Sequence, residues 1–402
     1  MKNVNKNMGF WASTLSLLMT FAASATPIPL YEIYRRSEGL SYNDLALTAV
    51  VYFVGAVTAL LIFGRISNHL GRKPVIFLVF LLCIVADIIL LNVNGAMPLI
   101  LGRFLLGLAC GLASSTMTAF IIDNAVSLPS WLPAAIVSNT PMVGLTLGAI
   151  ASGAQVEYGA YPRIICYIVV MFGLVICGLL IAFSKETVRR APGLLASLRP
   201  RFSMPKDRRV YPIAACTFVA TWAVGGFFQA YGPTISAGAL GSSSTLTGAI
   251  VFSSYMLPSA LGGPLSARLT PAKAQRVGMV LFVLFLIGVL ASIKSSTISY
   301  FLIASVLAGI AQGIVLTGSV GSLLVGVSTK ERTGVLSLIY ATSYTGAAVP
   351  NFIAGQMSHY MDLFHVALGY GFLAIFACVI VLIFAREPRV AKMDQNAPAV
   401  EG

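Results

Sequence analysis

Residues 64–74 read Gly64-Arg65-Ile66-Ser67-Asn68-His69-Leu70-Gly71-Arg72-Lys73-Pro74 and stand between two long apolar runs. The segment is short and basic, whereas residues 45–64 before it carry no charged side chain. A helix needs about 20 predominantly apolar residues to cross a bilayer. The pattern therefore predicts two membrane-crossing helices joined by a tight basic turn on one side of the membrane.

The same alternation of apolar runs and short polar turns continues along all 402 residues. Hydrophobic residues make up 57% of the chain and charged residues only 10%, whereas soluble proteins carry about 25% charged residues. This composition excludes a soluble enzyme and a disordered protein. It predicts an all-α integral membrane protein with twelve transmembrane helices, at about 9–31, 43–64, 74–93, 98–122, 132–155, 162–183, 211–235, 246–267, 276–293, 297–325, 333–357 and 364–385.

Positive charge marks one side of this predicted bundle. Cytoplasmic loops carry an excess of Lys and Arg, and most of the 26 basic residues fall in alternate loops and near the chain ends. We expect both termini in the cytoplasm and the protein in a bacterial inner membrane. The net charge of +13 is not gathered on one aromatic-studded face, as nucleic-acid binders require. We therefore expect these charges to meet membrane lipids and no nucleic acid.

The longest basic segment divides the chain into halves. Residues 1–183 are predicted to form an N-terminal six-helix bundle and residues 211–386 a C-terminal one. The linker 184–210 is expected to be cytoplasmic and to lean on anionic headgroups. Residues 387–402 are expected to form a short cytoplasmic tail.

Glycines repeat between the two halves at one constant offset, which predicts that the bundles are pseudo-symmetric. Small residues at such positions let helix backbones approach closely in lipid. The aligned pairs are Gly107 with Gly309, Gly111 with Gly313, Gly144 with Gly346, and Gly153 with Gly355.

Segment 64–74 resembles the signature loop of the major facilitator superfamily, which usually reads Gly-x-x-x-Asp-x-x-Gly-Arg-Arg/Lys. Gly64, Gly71, Arg72 and Lys73 fit that pattern, whereas Asn68 stands where the family usually has Asp. The resemblance covers the whole chain, including its topology. It implies two six-helix bundles that expose one central site alternately to either side.

Two further motifs carry the resemblance. Arg103-Phe-Leu-Leu-Gly107 is similar to the Arg-x-x-x-Gly motif of the family's fourth helix. In the fifth helix, Thr140, Pro141 and Gly144 form a degraded version of the element typical of antiporters, with Thr140 in place of its glycine. The resemblance therefore points to the drug:proton antiporter branch.

The resemblance also implies a gate at the signature loop, which in the family latches the inner ends of the two halves in the outward-open state. Glycine permits tight turns, and Arg72 and Lys73 can reach carboxylates or helix C-terminal carbonyls. Asp123 is the expected partner of Arg72; the alternative is a surface acid without a partner. The residues assigned to gating are Gly64, Asn68, Gly71, Arg72, Lys73, Asp123, Pro141 and Gly144.

Arg103 is the most informative charged residue, since a charge inside a membrane helix is costly and marks a functional site by default. The alternative is an arginine that snorkels to the outer headgroups. Its candidate partners are Asp87, at similar depth on the third helix, and Glu32, just past the first helix.

Polar and aromatic side chains on the helices expected to line the cavity complete the candidate site. No charged residue lies inside the six helices of the second half. Such a cavity favours neutral or amphipathic solutes, or an anion attracted by Arg103. The remaining candidates are Asn139, Gln229, Tyr231, Tyr255, Gln312, Tyr340 and Tyr344.

No phosphate-binding Gly-x-x-x-x-Gly-Lys-Ser/Thr loop occurs, so transport is expected to draw on an ion gradient or to follow the solute's own gradient. Protons are the preferred ion. We expect no cofactor and no metal site, and a monomer whose partner is a small-molecule substrate. The preferred function is proton-coupled efflux of small amphipathic or drug-like compounds. The alternative is a proton-coupled symporter or exchanger of an organic acid or sugar. A membrane enzyme lacks support, since no catalytic motif appears.

Overall fold

The chain is helical almost throughout the residues that the computed structural model describes, which are 2–125, 128, 131–200 and 202–389, and no strand occurs among them. Residues 390–402 of the predicted tail lie outside the described residues. The twelve long helices are α1 Lys2–Ala25, α2 Tyr42–Thr58, α3 Arg72–Leu90, α4 Ala96–Asn124, α5 Trp131–Tyr158, α6 Ile165–Phe183, α7 Val210–Ala237, α8 Thr245–Met256, α9 Pro271–Lys294, α10 Ile298–Leu324, α11 Thr329–Met357 and α12 Leu363–Phe384.

These helices confirm the predicted all-α membrane fold. Ten of them, within the part of the chain that is described, are long and apolar enough to cross a membrane. The other two are α8, which is broken, and α11, which is rich in hydroxyl-bearing and charged residues. Large apolar side chains such as Leu81, Phe172, Leu284 and Phe372 project exposed from the peripheral helices, where lipid is the expected solvent.

Prolines break two of the helices that the sequence predicts as continuous. The first ends at Ala25 and leads through a 3₁₀ turn, Ile28–Leu30, into a short helix, Tyr31–Glu38. The eighth continues beyond Met256 as a 3₁₀ turn, Leu257–Leu261, and a last turn, Gly262–Ser266. Proline has no N–H to donate and clashes with the preceding turn, so Pro27 and Pro258 account for these breaks.

The two sides of the bundle differ. We call the side on which the linker 184–209 lies the linker side, and the opposite one the far side. α1 begins and α12 ends on the linker side. The short helix Tyr31–Glu38 lies on the far side, where it contacts α7 of the C-terminal half.

The two halves repeat one packing scheme. In the first half α2 and α3 pack on α4, and α1 packs on α5. In the second half α8 and α9 pack on α10, and α7 packs on α11. The halves meet mainly where α2 contacts α11 and where α5 contacts α8. Because α2 corresponds to α8 and α5 to α11, the two contacts between the halves are equivalent.

The repeated glycines sit at equivalent helix contacts. A Cβ at Gly107 would overlap the carbonyl oxygen of Tyr52, and a Cβ at Gly309 would overlap that of Tyr255. The α2–α4 and α8–α10 contacts therefore rely on matching glycines, because any side chain would force the backbones apart.

A second glycine pair serves the contacts between the halves. Gly153 on α5 faces Leu246 and Ala249 on α8, and Gly355 on α11 faces Asn43 and Ala46 on α2. These contacts lie toward the far side and bring the two bundles together there.

The far side of the interface is closed. Gln356 donates to Asn43 across the halves over 3.1 Å, and the backbone N–H of Thr245 donates to Glu157 over 2.7 Å. Residues 223–236 of α7 are all buried, whereas its linker-side half alternates between buried and partly exposed positions. The molecule is therefore in a conformation that is closed toward the far side.

Candidate functional site

A cavity between the two halves is the candidate site. The space between its walls, open solvent included, is about 700 Å³. None of its lining residues is charged. They are Phe21, Tyr52, Phe53, Met142, Leu145, Trp222, Gly225, Gly226, Gln229, Phe252, Met256, Ser259, Gln312, Leu316 and Tyr344.

Aromatic rings from both halves meet in this cavity. The ring of Tyr344 lies 4.9 Å from that of Trp222 and 6.0 Å from that of Phe53, measured between centroids. Phe53 in turn lies 5.5 Å from Tyr52. Rings at these distances attract one another and offer flat faces to a bound aromatic solute.

The polar groups of the cavity are few and uncharged. Gln229 on α7 and Gln312 on α10 bring one amide each, and Tyr52, Ser259 and Tyr344 bring one hydroxyl each. The side-chain oxygen of Gln312 is buried without a hydrogen-bond partner among the described residues. An unsatisfied buried acceptor is costly, so this oxygen is suited to accept a hydrogen bond from a solute or a water.

Arg103 lies behind the cavity wall. Its side chain is fully buried on α4, and its Nη1 donates to the carbonyl oxygen of Ser24 on α1. The guanidinium carbon stands 4.6 Å from the ring centroid of Tyr52 and 6.0 Å from that of Tyr31. The Nε and Nη2 groups have no partner within the described part of the chain. This arginine therefore does not snorkel, and Tyr52 separates it from the cavity.

The acids offered by the sequence as partners of Arg103 do not pair with it. Glu32 is engaged by its own helix, receiving bonds from Arg35 at 2.9 Å and from Arg36 at 2.6 Å. Asp87 is fully buried, and neither of its carboxyl oxygens has a hydrogen-bond partner among the described residues. Asp87 on α3 and Arg103 on α4 were predicted to pair because they lie at similar depth. Arg103 instead points toward α1 and α2 and so away from α3.

Four other predicted residues do not line the cavity. Asn139 bonds the carbonyl of Ala135 on its own helix over 2.8 Å. Tyr231 is buried against Phe227. The ring centroid of Tyr340 lies 6.4 Å from that of Tyr344, which does line the cavity.

Tyr255, the fourth, serves packing inside the C-terminal half. Its ring stacks on Phe228 at 4.5 Å, and its hydroxyl donates to the carbonyl of Thr221 over 3.1 Å. The hydrogen bond occupies the hydroxyl of Tyr255, and the stacking covers a face of its ring. It therefore has no free surface to offer a solute.

The signature loop forms the expected ion pair. Arg72 Nε lies 3.1 Å from Asp123 Oδ2, and Arg72 Nη1 also donates to Asn68 over 2.6 Å and to Ser67 over 2.8 Å. Lys73 donates to the carbonyls of Ala182 and Ser184 at the end of α6, where the helix dipole favours a cation.

Among the described residues, Arg72 and Lys73 bond only to the N-terminal half or to Ser184 and Glu186 just after it, so these two side chains do not latch the halves together in this conformation. Glu186, which the sequence analysis missed, receives bonds from the first two backbone N–H groups of α3 at 2.9 Å each. An acid at that position satisfies a helix N-terminus.

The two glycines of the loop differ in conformation. Gly71 has φ +97°, which only glycine adopts without strain, as predicted. Gly64 has φ −59° in the right-handed region, but a Cβ there would overlap the carbonyl oxygen of Leu60, so this turn too is tight enough to need glycine.

The antiporter-like element of α5 serves helix packing. Pro141 lies inside the helix, and a Cβ at Gly144 would come 2.6 Å from the carbonyl oxygen of Leu18 on α1. Gly148 makes the same kind of contact with Ala22. The element therefore brings α5 close to the cavity helix α1.

The linker is held by hydrogen bonds and an ion pair to the linker-side ends of α11 and α12 in the second half. Asp207 is engaged by the Arg209 side chain over 2.9 Å and by the backbone N–H of Arg389 over 3.1 Å. The hydrogen bond from Arg209 and then that from Arg389 hold the pKa of Asp207 well below its usual range. Lys206 also pairs with Glu331 at the start of α11 over 3.1 Å.

Five of the twelve cavity residues missed by the sequence analysis are aromatic. Phe21, Tyr52, Phe53 and Trp222 lie in runs that are apolar throughout, so their direction was not readable. The repeat did not single out Tyr52, because the constant offset of the glycines pairs it with Ser254, and only the packed structure makes it the counterpart of Tyr255 in the glycine contacts. Among the described residues, no group of three or more His, Cys, Asp or Glu side chains could hold a metal ion.

Comparison with known proteins gives one family and distant relatives. The family model described as Major Facilitator Superfamily matches residues 13–270 and, again, 213–400. The chain is 34% identical to "Multidrug resistance protein MdtL" of Klebsiella pneumoniae subsp. pneumoniae over 84 residues, which are 21% of its length. It is 32% identical to "Sugar transporter ERD6-like 8" of Arabidopsis thaliana, also over 84 residues and 21% of its length. These matches span only 21% and 18% of the relatives' own lengths.

Proposed function

This chain belongs to the Major Facilitator Superfamily and is a membrane transporter, and from this premise we propose that it exports small amphipathic, drug-like compounds in exchange for protons. The substrate binds in the cavity between the halves, and the two bundles rock to open that cavity to either side in turn. The basic linker side faces the cytoplasm of a bacterial cell, in keeping with the excess of positive charge there.

The uncharged aromatic lining of the cavity is the observation that carries this proposal. A sugar site needs several convergent hydroxyl and amide partners, and an organic-acid site needs a cation within reach. Here the lining offers rings from both halves, the amides of Gln229 and Gln312, and the hydroxyls of Tyr52, Ser259 and Tyr344, of which that of Ser259 donates to the carbonyl of Met256. Neutral aromatic amphiphiles match such a surface best.

The coupling to protons is supported by the buried acid in the N-terminal half. Asp87 is buried without a partner among the described residues, and acids of this kind inside membranes commonly belong to proton relays. The likeness to a protein named for multidrug resistance supports the other part of the proposal, a drug-like substrate.

The alternative is a proton-coupled symporter or exchanger of an organic acid or sugar. One structural observation favours it: Arg103 keeps two N–H groups without a partner in the described part of the chain. If Tyr52 swung aside, these groups would face the cavity and could hold a carboxylate. The likeness to a sugar transporter adds to this alternative.

Transport by the purified full chain in proteoliposomes separates the two. The probes are chloramphenicol (neutral and aromatic), ethidium (cationic), benzoate (anionic) and glucose, with a pH-sensitive dye in the lumen. Exchange predicts that adding chloramphenicol releases protons to the side of addition. Co-movement of protons with benzoate or glucose, and no response to chloramphenicol, would establish the alternative.

A matched pair of variants ties the activity to the cavity. Trp222→Ala removes a ring from the lining and is expected to abolish the chloramphenicol response. Phe372→Ala removes a ring that is 70% exposed on the outer surface of α12 and is expected to leave it unchanged. Equal responses from both variants would place the substrate elsewhere.

A further inference from the structure

A groove runs between α9 and α12 on the outer surface of the second half. Apart from Lys294, every residue in its walls is apolar or glycine. Large side chains of these walls are exposed, among them Ile287, Phe372 and Ile375. The space between the walls, open solvent included, is about 680 Å³. Because apolar side chains that project from a membrane helix meet lipid, this groove is open to the hydrocarbon chains of the bilayer.

The groove is as long as one leaflet of the membrane is deep. Its wall runs from Val283 to Lys294 on α9 and from Phe364 to Ile375 on α12. At 1.5 Å per residue, each stretch is about 16 Å long, and half of the hydrocarbon core is about 15 Å thick. Lys294 is the last residue of α9, and Phe364 lies in the first turn of α12. The groove therefore occupies the far-side half of the membrane.

Small residues in the two walls leave this space between the helices. Gly371 on α12 lies so close to α9 that a Cβ there would come 2.9 Å from Cδ1 of Leu290. Ala291, one helical turn before the end of α9, is exposed and also belongs to the wall. Side chains larger than these would fill the groove, so its shape depends on both positions.

Lys294 stands at the far-side mouth of the groove. Its side chain is exposed and has no hydrogen bond or ion pair within the described part of the chain. Three other far-side cations, Arg35, Arg36 and Arg163, each pair with a glutamate. The acid at the start of α12, Asp362, is engaged by the backbone N–H and Nδ1 of His365 at 2.8 and 2.7 Å. The ammonium of Lys294 is thus available to an anion at the level of the headgroups.

We propose that this groove is a binding site for one anionic phospholipid of the far-side leaflet. One acyl chain lies along α9 and α12, and the phosphate group pairs with the ammonium of Lys294. Lysine binds phosphate as a point charge, and its long stem lets the charge reach the headgroup level. Charge complementarity separates this groove from two apolar grooves along α11, because no residue in the walls of those two is charged.

The two parts of the site have separate roles. The apolar walls hold the acyl chain, and they do so equally for any phospholipid with the same chains, because burial of a chain depends on its apolar area. Lys294 adds the preference for the headgroup. A zwitterionic headgroup brings its own ammonium close to Lys294, whereas an anionic one does not, and like charges repel.

The test counts the lipids that stay bound to the purified full chain in native mass spectrometry. The protein is incubated in detergent with equal amounts of phosphatidylglycerol, which is anionic, and phosphatidylcholine, which is zwitterionic, both with the same acyl chains. Wild type is expected to retain phosphatidylglycerol in preference. Lys294→Gln is expected to lower the ratio of the two bound lipids about fivefold, the scale of one basic side chain beside anionic lipid, and Lys294→Arg to keep it.

A second variant tests the apolar part of the site. Ala291→Trp fills the groove with a ring and is expected to lower the retention of both lipids. Leu284→Trp is the matched control, because Leu284 is 57% exposed on α9 but lies outside the walls of the groove. Arg332→Gln removes an exposed cation at the linker-side start of α11 and controls for net charge; both controls are expected to behave as wild type.

Each remaining outcome decides against the site. An unchanged lipid ratio in Lys294→Gln, or an equal fall in Arg332→Gln, would show that no headgroup is selected at the groove. Full retention in Ala291→Trp would place the acyl chain elsewhere. Displacement of the lipid by an excess of soluble glycerol phosphate would show a site for the headgroup alone. None of these measurements involves transport, so their failure would leave the proposed function untouched.

Discussion

Phe53 on α2 and Tyr344 on α11 place their rings 6.0 Å apart across the boundary between the two halves. Trp222 extends this contact on the C-terminal side, at 4.9 Å from Tyr344. The rings that line the cavity are therefore also the rings that join the bundles. A solute bound there touches both halves, so its binding energy can bias the rocking motion.

Truncation of this contact should weaken substrate binding. Tyr344→Ala is expected to raise the Kd of the purified protein for chloramphenicol about three- to tenfold, the scale of one aromatic pair. Tyr344→Phe keeps the ring and should stay close to wild type. Titration calorimetry measures both, and an equal loss in the two variants would show that the hydroxyl, and not the ring, does the binding.

The paired glycines predict matching sensitivities in the two halves. Gly107→Ala and Gly309→Ala each place a Cβ on a backbone carbonyl oxygen of the neighbouring helix. Each is expected to destabilise the protein by about 1–3 kcal/mol, the cost of overpacking. Thermal unfolding in detergent should show both as a lower Tm.

Gly369→Ala is the matched control for this pair. A Cβ at Gly369 on α12 would meet no atom within 4 Å, and alanine is favoured over glycine within a helix. Its Tm is expected to equal or exceed the wild-type value. If Gly107→Ala alone were destabilising, the equivalence of the two halves at this contact would be wrong.

The far-side closure can be trapped covalently. Asn43 and Gln356 are hydrogen-bonded across the halves, so Asn43→Cys together with Gln356→Cys is expected to be cross-linked by a short bis-methanethiosulfonate reagent, which spans the gap between the two thiols and is released by reduction. Cross-linking should stop transport, because the cavity can no longer open to the far side, and reduction should restore it. Each single cysteine variant serves as a control, and continued transport by the cross-linked protein would contradict far-side opening at this interface.

The sequence predicts where a residue lies along its helix better than it predicts which way the side chain points around the helix axis. The apolar runs and basic turns place residues along each helix, and the twelve-helix fold and the Arg72–Asp123 pair follow from that. Rotation about the helix axis is not encoded when lipid and protein both favour apolar side chains. The direction of Arg103, away from Asp87, therefore emerged only from the packed structure.

The same lack of information about helix rotation explains which cavity residues could be predicted. Gln229 and Gln312 could be proposed because an amide in an apolar run needs a hydrogen-bond partner, but Asn139, proposed on the same ground, bonds its own helix instead. Phe21 and Phe53 could not, since a phenylalanine facing lipid looks identical in sequence to one facing a cavity. The breaks of α8 around Pro258 were likewise hidden, because proline is tolerated in membrane helices.

Asn68 gives the last prediction, because it stands where an acid would be expected. Its side-chain oxygen already accepts a bond from Arg72 Nη1 at 2.6 Å, so Asn68→Asp would add a charge beside the Arg72–Asp123 pair. The side chains of that pair are 12% and 30% exposed, and solvent screening limits the gain to at most about 1 kcal/mol. Tm in detergent should rise with Asn68→Asp and should not rise when the same change is made together with Arg72→Ala. A gain that persisted without Arg72 would show that the new charge acts on a different group.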